Sequence, residues 1–140
     1  MKFYLAGHSR EQWRPVWRRL ADELEAAGHV CTHRWFDPEV FDKDGLEVAL
    51  ELDKVGVADA EVFIGVFDAG CKGAVWEAGF AQGRGVPVVA VLLEREDGSG
   101  VEHAGRICDF LVWGRGVKRI RFDPVKLDGL GPVLCECLRS

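Results

Sequence analysis

The regular exchange of two hydrophobic periods limits what this chain can fold into more than any single motif does. Lys2 to Ala6 is a short apolar run that stops at Gly7 and reads as a strand. Trp13, Val16, Trp17, Leu20, Leu24 and Ala27 then recur at helical spacing, with Arg14, Arg18, Arg19, Asp22, Glu23 and Glu25 off that stripe. This predicts an amphipathic helix. Pro15 suits its first turn and Gly28 the position just past its end. Val30 to Trp35 reads as a second strand, Phe36 to Asp44 as a polar loop, and Leu46 to Val57 as a second helix through Leu46, Ala49, Leu50 and Val57. Glu61 to Phe67 predicts a third strand, Asp68 to Gly73 a loop, Ala74 to Gly83 a third helix and Pro87 to Leu93 a fourth strand. A Gly-rich, charged connection over 94–116 leads to a last strand, Val117 to Phe122, and a last helix, Lys126 to Leu138.

Alternation of this kind gives a parallel sheet, because a parallel crossover needs a helix to return the chain. The expectation is an α/β fold: one domain over 1–140 holding a doubly wound parallel sheet of the Rossmann or flavodoxin-like type. It would have about five strands, with helices on both faces. Ligands in such sheets sit outside the carboxyl ends of the strands. The loops that matter therefore begin at Gly7, Phe36, Asp68 and Glu94.

Charge and composition exclude several functions. Eighteen basic residues against 23 acidic ones leave a net charge of -5, so no general field favours a nucleic acid. The longest apolar runs, such as Val86 to Leu93, are far too short for a bilayer. The chain passes from Met1-Lys2 to His8-Ser9-Arg10 too soon for a signal-peptide core. Five cysteines, an odd number in a chain able to build a core unaided, read as reduced thiols in the cytoplasm.

The chain has no phosphate-binding GxxxxGK[ST], no dinucleotide fingerprint between a first strand and its helix, and no GxSxG elbow. Cys135-Glu136-Cys137 does not have zinc-ribbon spacing. His29, Cys31 and His33 alternate as three ligands on one strand face would, but a buried cysteine between strand-end histidines is the simpler account. No metal or other cofactor is expected.

The informative stretch is Gly73-Ala74-Val75-Trp76-Glu77-Ala78-Gly79-Phe80-Ala81. A carboxylate in the first helical turn complements the helix dipole, and on that reading Glu77 is a surface residue. On the other reading, an acid among Val75, Trp76, Ala78, Phe80 and Ala81 is costly unless it has a task. Gly73 and Gly79 leave room around it, and the preceding strand aims it at the carboxyl edge of the sheet.

Taken in order, several short pieces of this sequence resemble the nucleoside 2-deoxyribosyltransferase family, which includes nucleotide N-glycosidases. They are Lys2 to Gly7, Ala27 to His29 with Arg34-Trp35, Ala58-Asp59, the Gly-x-x-x-Glu-x-Gly-x-Ala segment from Gly73 to Ala81, and Gly85 to Val88. The resemblance implies that Glu77 is the nucleophile. A carboxylate stabilises positive charge at the anomeric carbon as the base leaves, then captures the sugar. The acceptor is another nucleobase in transfer or water in hydrolysis. A second acid should protonate the departing base. The family position for it is Glu51 here, one methylene longer than the family's aspartate, with Asp53 close by; Asp59 reads as structural.

Gly7, Ser9 and Arg10 form either a plain surface turn or a cradle for a sugar hydroxyl or phosphate. Arg10 falls on an arginine of the nucleotide-hydrolase branch. Cys71 stands where that branch has a serine and the transferase branch an aspartate, and Asp68 in the same loop is a possible substitute. Trp35 and Phe36, at a strand's carboxyl end, are the expected stacking partners for a base. Trp13 and Trp17 belong to the core stripe, and Trp76 should point elsewhere on its helix. The resemblance further implies a homodimer or larger homo-oligomer, with 94–116 completing a neighbour's site. The expected ligands are a nucleoside or nucleotide and a nucleobase. The expected reaction is transfer of a deoxyribosyl group, with hydrolysis of a nucleoside 5′-monophosphate as one alternative. A non-catalytic nucleotide-binding module is the other, motivated by Glu51 and Cys71.

Overall fold

The computed structural model describes residues 1–41, 46–68, 71–95 and 116–139. Five strands make one sheet: β1 (Lys2–Ala6), β2 (Val30–Cys31), β3 (Val62–Phe67), β4 (Val88–Leu93) and β5 (Val117–Phe122). Their order is β2-β1-β3-β4-β5, and every neighbouring pair is parallel. The register runs from Phe3 opposite Val62 to Ala6 opposite Gly65, and from Phe63 opposite Val88 to Phe67 opposite Leu92. The expected doubly wound α/β architecture is therefore present.

The helices are α1 (Arg14–Ala26), α2 (Pro38–Phe41), α3 (Leu46–Asp59), α4 (Lys72–Gly83) and α5 (Leu130–Arg139), with 3-10 turns at Glu11–Trp13 and Pro124–Gly129. Alternate residues of each strand face opposite sides. Phe3, Leu5, Ile64 and Val91 meet Trp17, Leu20 and Leu24 of α1 and Leu130, Leu134 and Leu138 of α5. Tyr4, Ala6, Phe63, Phe67 and Ala90 meet Val57 of α3 and Ala74, Ala78 and Ala81 of α4. Sheet order reverses between β1 and β3, so the chain leaves those strands toward opposite faces. A crevice opens at their carboxyl ends.

Two glycines set how closely the second face packs. At Gly65 a Cβ would stand 2.3 Å from the ring of Phe67. At Gly56 it would stand 2.7 Å from His33 Cβ and 3.1 Å from the Tyr4 ring. Bare backbone at 56 therefore lets α3 settle directly over Tyr4.

Several boundaries differ from expectation. The second strand ends at Cys31 rather than Trp35, because side chains take over the bonding of this edge segment. Thr32 Oγ1 donates to Gly56 O at 2.7 Å, and Trp35 Nε1 donates to Leu5 O at 2.7 Å. His33 accordingly leaves the strand, and His29, Cys31 and His33 do not share one strand face. The loop expected over Phe36 to Asp44 contains α2. Helix α4 starts at Lys72, which moves Glu77 from the first turn into the second. The last helix starts at Leu130, after a 3-10 turn capped by Asp123, whose carboxylate accepts from Val125 N at 2.9 Å. Gly28 takes φ 98° just after α1, as its place in the sequence implies. The connection over 94–116 lies almost wholly outside the described residues. Among the described residues no helix is long and apolar enough to cross a membrane.

Candidate active site

A cavity of about 530 Å³ lies at the switch point, walled by the ends of β1 and β2 and by α2, α3 and α4. That volume is in the range of roughly 300–1,000 Å³ usual for small-molecule sites. Most of its wall is apolar, with a few polar groups converging on it.

Glu77 is the central group. Ala74, Ala78 and Ala81 pin α4 to the sheet, and Glu77 stands one position before Ala78, half-buried. Tyr4 is fully buried and stacks on Phe63 with ring centres 5.6 Å apart. Its hydroxyl donates a hydrogen bond to Glu77 Oε2. Burial pushes the Glu77 carboxyl up to about 8; the Tyr4 hydrogen bond pulls it down, and the nearby charge of Asp53 pushes it up. The Tyr4 phenol is held well above its ordinary value, first by burial and then by the negative fields of Glu77 and Asp53. A carboxyl group so far from its usual range in a cavity wall is a candidate functional group.

Asp53 reaches the cavity from α3. His33 Nε2 lies 3.4 Å from Asp53 Oδ1, a long contact for a hydrogen bond. That oxygen is buried and makes no hydrogen bond among the described residues. A buried acceptor in this state is open to a donor from water or from a ligand in the cavity.

The expected site residues separate into two groups. Glu77, Asp53, Gly7, Ser9, Trp35 and Gly73 line the cavity. At Gly7 a Cβ would stand 2.4 Å from the Trp17 indole, so the bare backbone is needed there, whereas at Gly73 a Cβ would meet only open space. Glu51, Arg10, Phe36, Asp68 and Cys71 are not among the lining residues. Glu51 is exposed on the outer side of α3 and pairs with Lys54 at 3.0 Å. Arg10 is exposed before the 3-10 turn. Phe36 has no exposed surface and belongs to the first core, with the Arg34 guanidinium 5.3 Å over its ring; it cannot stack on a ligand. Asp68 and Cys71 sit behind His8, which does line the cavity.

Tyr4, His8, His33 and Trp76 are in the wall without having been singled out from the sequence for it. Trp76, expected to point elsewhere, is half exposed at the mouth and stacks on Phe80 at 5.8 Å. A signal for Tyr4 existed: a lone phenol in a strand buried on both faces needs a partner for its hydroxyl. None of the described lining residues is Lys or Arg.

Neither a family model nor a curated protein matches the sequence. The fold is similar to the solution structure of BlsM, with a TM-score of 0.68, 19% identity, and 99% of this chain and 94% of that one covered. It is also similar to the Clostridium botulinum CMP N-glycosidase BcmB, with a TM-score of 0.63, 19% identity, and 95% of this chain and 99% of that one covered. At this level of identity the likeness is one of fold.

Proposed function

We propose that the protein cleaves the N-glycosidic bond of a 2-deoxynucleoside, with Glu77 as nucleophile, and transfers the deoxyribosyl group to a second nucleobase. One observation carries this: a half-buried carboxyl in the wall of a switch-point cavity, hydrogen-bonded to Tyr4 and under the field of a second carboxyl, Asp53. In the first step the ionised Glu77 oxygen bonds to the anomeric carbon as the carbon–nitrogen bond breaks. The base leaves with its electron pair and takes a proton from the Asp53–His33 side. In the second step a nitrogen of the acceptor base attacks the same carbon, Glu77 departs as carboxylate, and the proton returns to that side. The Tyr4 hydroxyl steadies the carboxylate that leaves. Trp35, held by Leu5 O, and the exposed Trp76 offer faces on which a base can stack.

The uncharged nucleoside is favoured over its monophosphate by the described wall, which offers no Lys or Arg to pair with a phosphate. The second reading, hydrolysis of a nucleoside 5′-monophosphate, is favoured by the likeness to BcmB, a CMP N-glycosidase. A homo-oligomer, in which a neighbour's 94–116 segment completes the site, belongs to the same proposal.

The deciding experiment incubates the protein with deoxynucleosides and with their 5′-monophosphates, with and without an acceptor base. Base exchange from the nucleoside is expected, with Glu77→Ala losing about 1,000-fold or more in rate and keeping its circular dichroism. Free base released from the monophosphate alone, without an acceptor, establishes the second reading. Full activity of Glu77→Ala removes both.

A further inference from the structure

Beside the cavity, three potential ligands meet at a single point. His8 Nε2 lies 2.7 Å from Asp68 Oδ1, and Cys71 Sγ lies 3.0 Å from the same oxygen. The three donor atoms all fall within 4.8 Å of one another. The topology brings them together, since His8 follows β1, Asp68 follows β3 and Cys71 immediately precedes α4. We infer that His8, Asp68 and Cys71 form a binding site for a borderline-soft divalent cation of the zinc or cobalt type.

Donor chemistry favours this ion class. An imidazole nitrogen, a thiolate and a carboxylate are the ligands that zinc takes up together, whereas magnesium and calcium select oxygen. An imidazole nitrogen and a thiol converge on one carboxylate oxygen. A dication enters between these groups: the thiol proton goes to solvent, and a neutral imidazole is left in its Nδ1–H form. One proton is then released for each ion bound. Metal bonds of roughly 2.0–2.3 Å put tetrahedral donors about 3.3–3.7 Å apart, so the side chains must spread by only about 0.6 Å.

Local packing holds the ligands for this task. The His8 ring stacks on Trp13 with centres 5.7 Å apart, and its backbone carbonyl accepts from Trp17 Nε1 at 2.7 Å. Such supports fix the orientation of a ligating ring. Cys71 is buried, while the Asp68 carboxylate is partly exposed and gives an ion its entry. Cys31 offers no comparable site: burial pushes its thiol up to about 11, and among the described residues it joins no such cluster. His8 also lines the cavity, but neither Glu77 nor Asp53 belongs to the triad, so the inference does not rest on the proposed reaction.

The test titrates reduced, metal-stripped, full-length protein with Co²⁺ and follows the thiolate-to-cobalt charge-transfer absorption, then displaces the ion with Zn²⁺. One equivalent of Co²⁺ is expected, with proton release and no competition from Mg²⁺. Cys71→Ser should lose the band and Cys31→Ser keep it. His8→Ala and Asp68→Asn should each weaken binding by about tenfold or more. No thiolate band in the unmodified protein, or a band that survives Cys71→Ser, overturns the assignment. Should Cys71→Ser fail to fold by circular dichroism, unchanged Co²⁺ affinity in His8→Ala overturns it equally.

Discussion

The two faces of the sheet use the same strands for different ends. On one face, α1 and α5 press Trp17, Leu20, Leu24, Leu130 and Leu134 into a sealed apolar layer. On the other, α3 and α4 contribute mainly small residues, Ala74, Ala78 and Ala81, with bare backbone at Gly56 and Gly65. Large side chains fill the first layer and leave no room for a ligand. Small ones on the second let two helices approach the sheet, while the space beyond their ends stays open and holds the polar groups. Bulky helix side chains seal one side, and the candidate chemistry lies on the other.

The largest predicted effect tests the sealed side. Leu24→Ala should cost about 2–5 kcal/mol of stability, the usual penalty for truncating a fully buried leucine, read as a fall in the denaturant midpoint. At temperatures where the variant is still folded, base release per folded molecule should change far less. An equal loss of turnover would mean that the two faces are not separable.

A second prediction concerns the open side and pH. Folded Glu77 keeps its proton up to about pH 8, whereas an ordinary glutamate releases it near 4.5. Between those values the folded state binds more protons, so stability should fall as pH rises through that window. Glu77→Gln should flatten the dependence and stabilise the protein at pH 8 by about 1–3 kcal/mol. For Glu77 as the proposed nucleophile the carboxylate is the active form, so kcat/KM should rise with pH toward about 8. Tyr4→Phe should move that rise to higher pH and Asp53→Asn to lower pH. A profile that ignores both variants would separate Glu77 from the reaction.

The smallest effect lies at the joint between α1 and the segment leading to α2. Arg34 pairs with Asp37 at 2.7 Å, Glu25 at 2.7 Å and Asp22 at 2.9 Å. Arg34→Met should cost about 1 kcal/mol, because Asp22 and Glu25 are exposed and only Asp37 is mostly covered. The loss should shrink at high salt, as thermal melting at two ionic strengths will read.

The sealed face was legible in the sequence because its helices carry one clean apolar stripe, and a stripe tells which way a helix is turned. The open face was legible only in part. Helix α3 has exposed Val48, Leu50, Leu52 and Val55 as well as buried Val57, so its pattern does not say which side meets the sheet. Glu51 and Asp53 are two residues apart, on nearly opposite sides of a helix, and only the structure decides between them. Phe36 was misplaced for a related reason. Its strand was expected to continue to Trp35, and the early end at Cys31 turned the ring inward beneath Arg34. Glu77 stood out from composition alone, as a single acid in an apolar stretch. Its partner Tyr4 did not, because a tyrosine looks like any other aromatic in a strand.

Tyr4 has a consequence for how the molecule responds to heat. One aromatic ring is at once a wedge between sheet and helices and the hydrogen-bond anchor of Glu77, the proposed nucleophile. Any loosening of that layer, even a reversible one far short of melting, swings the phenol away from its carboxylate. Turnover should therefore fade on warming before the fold does, and the gap between the two temperatures measures how softly the small-residue side is built.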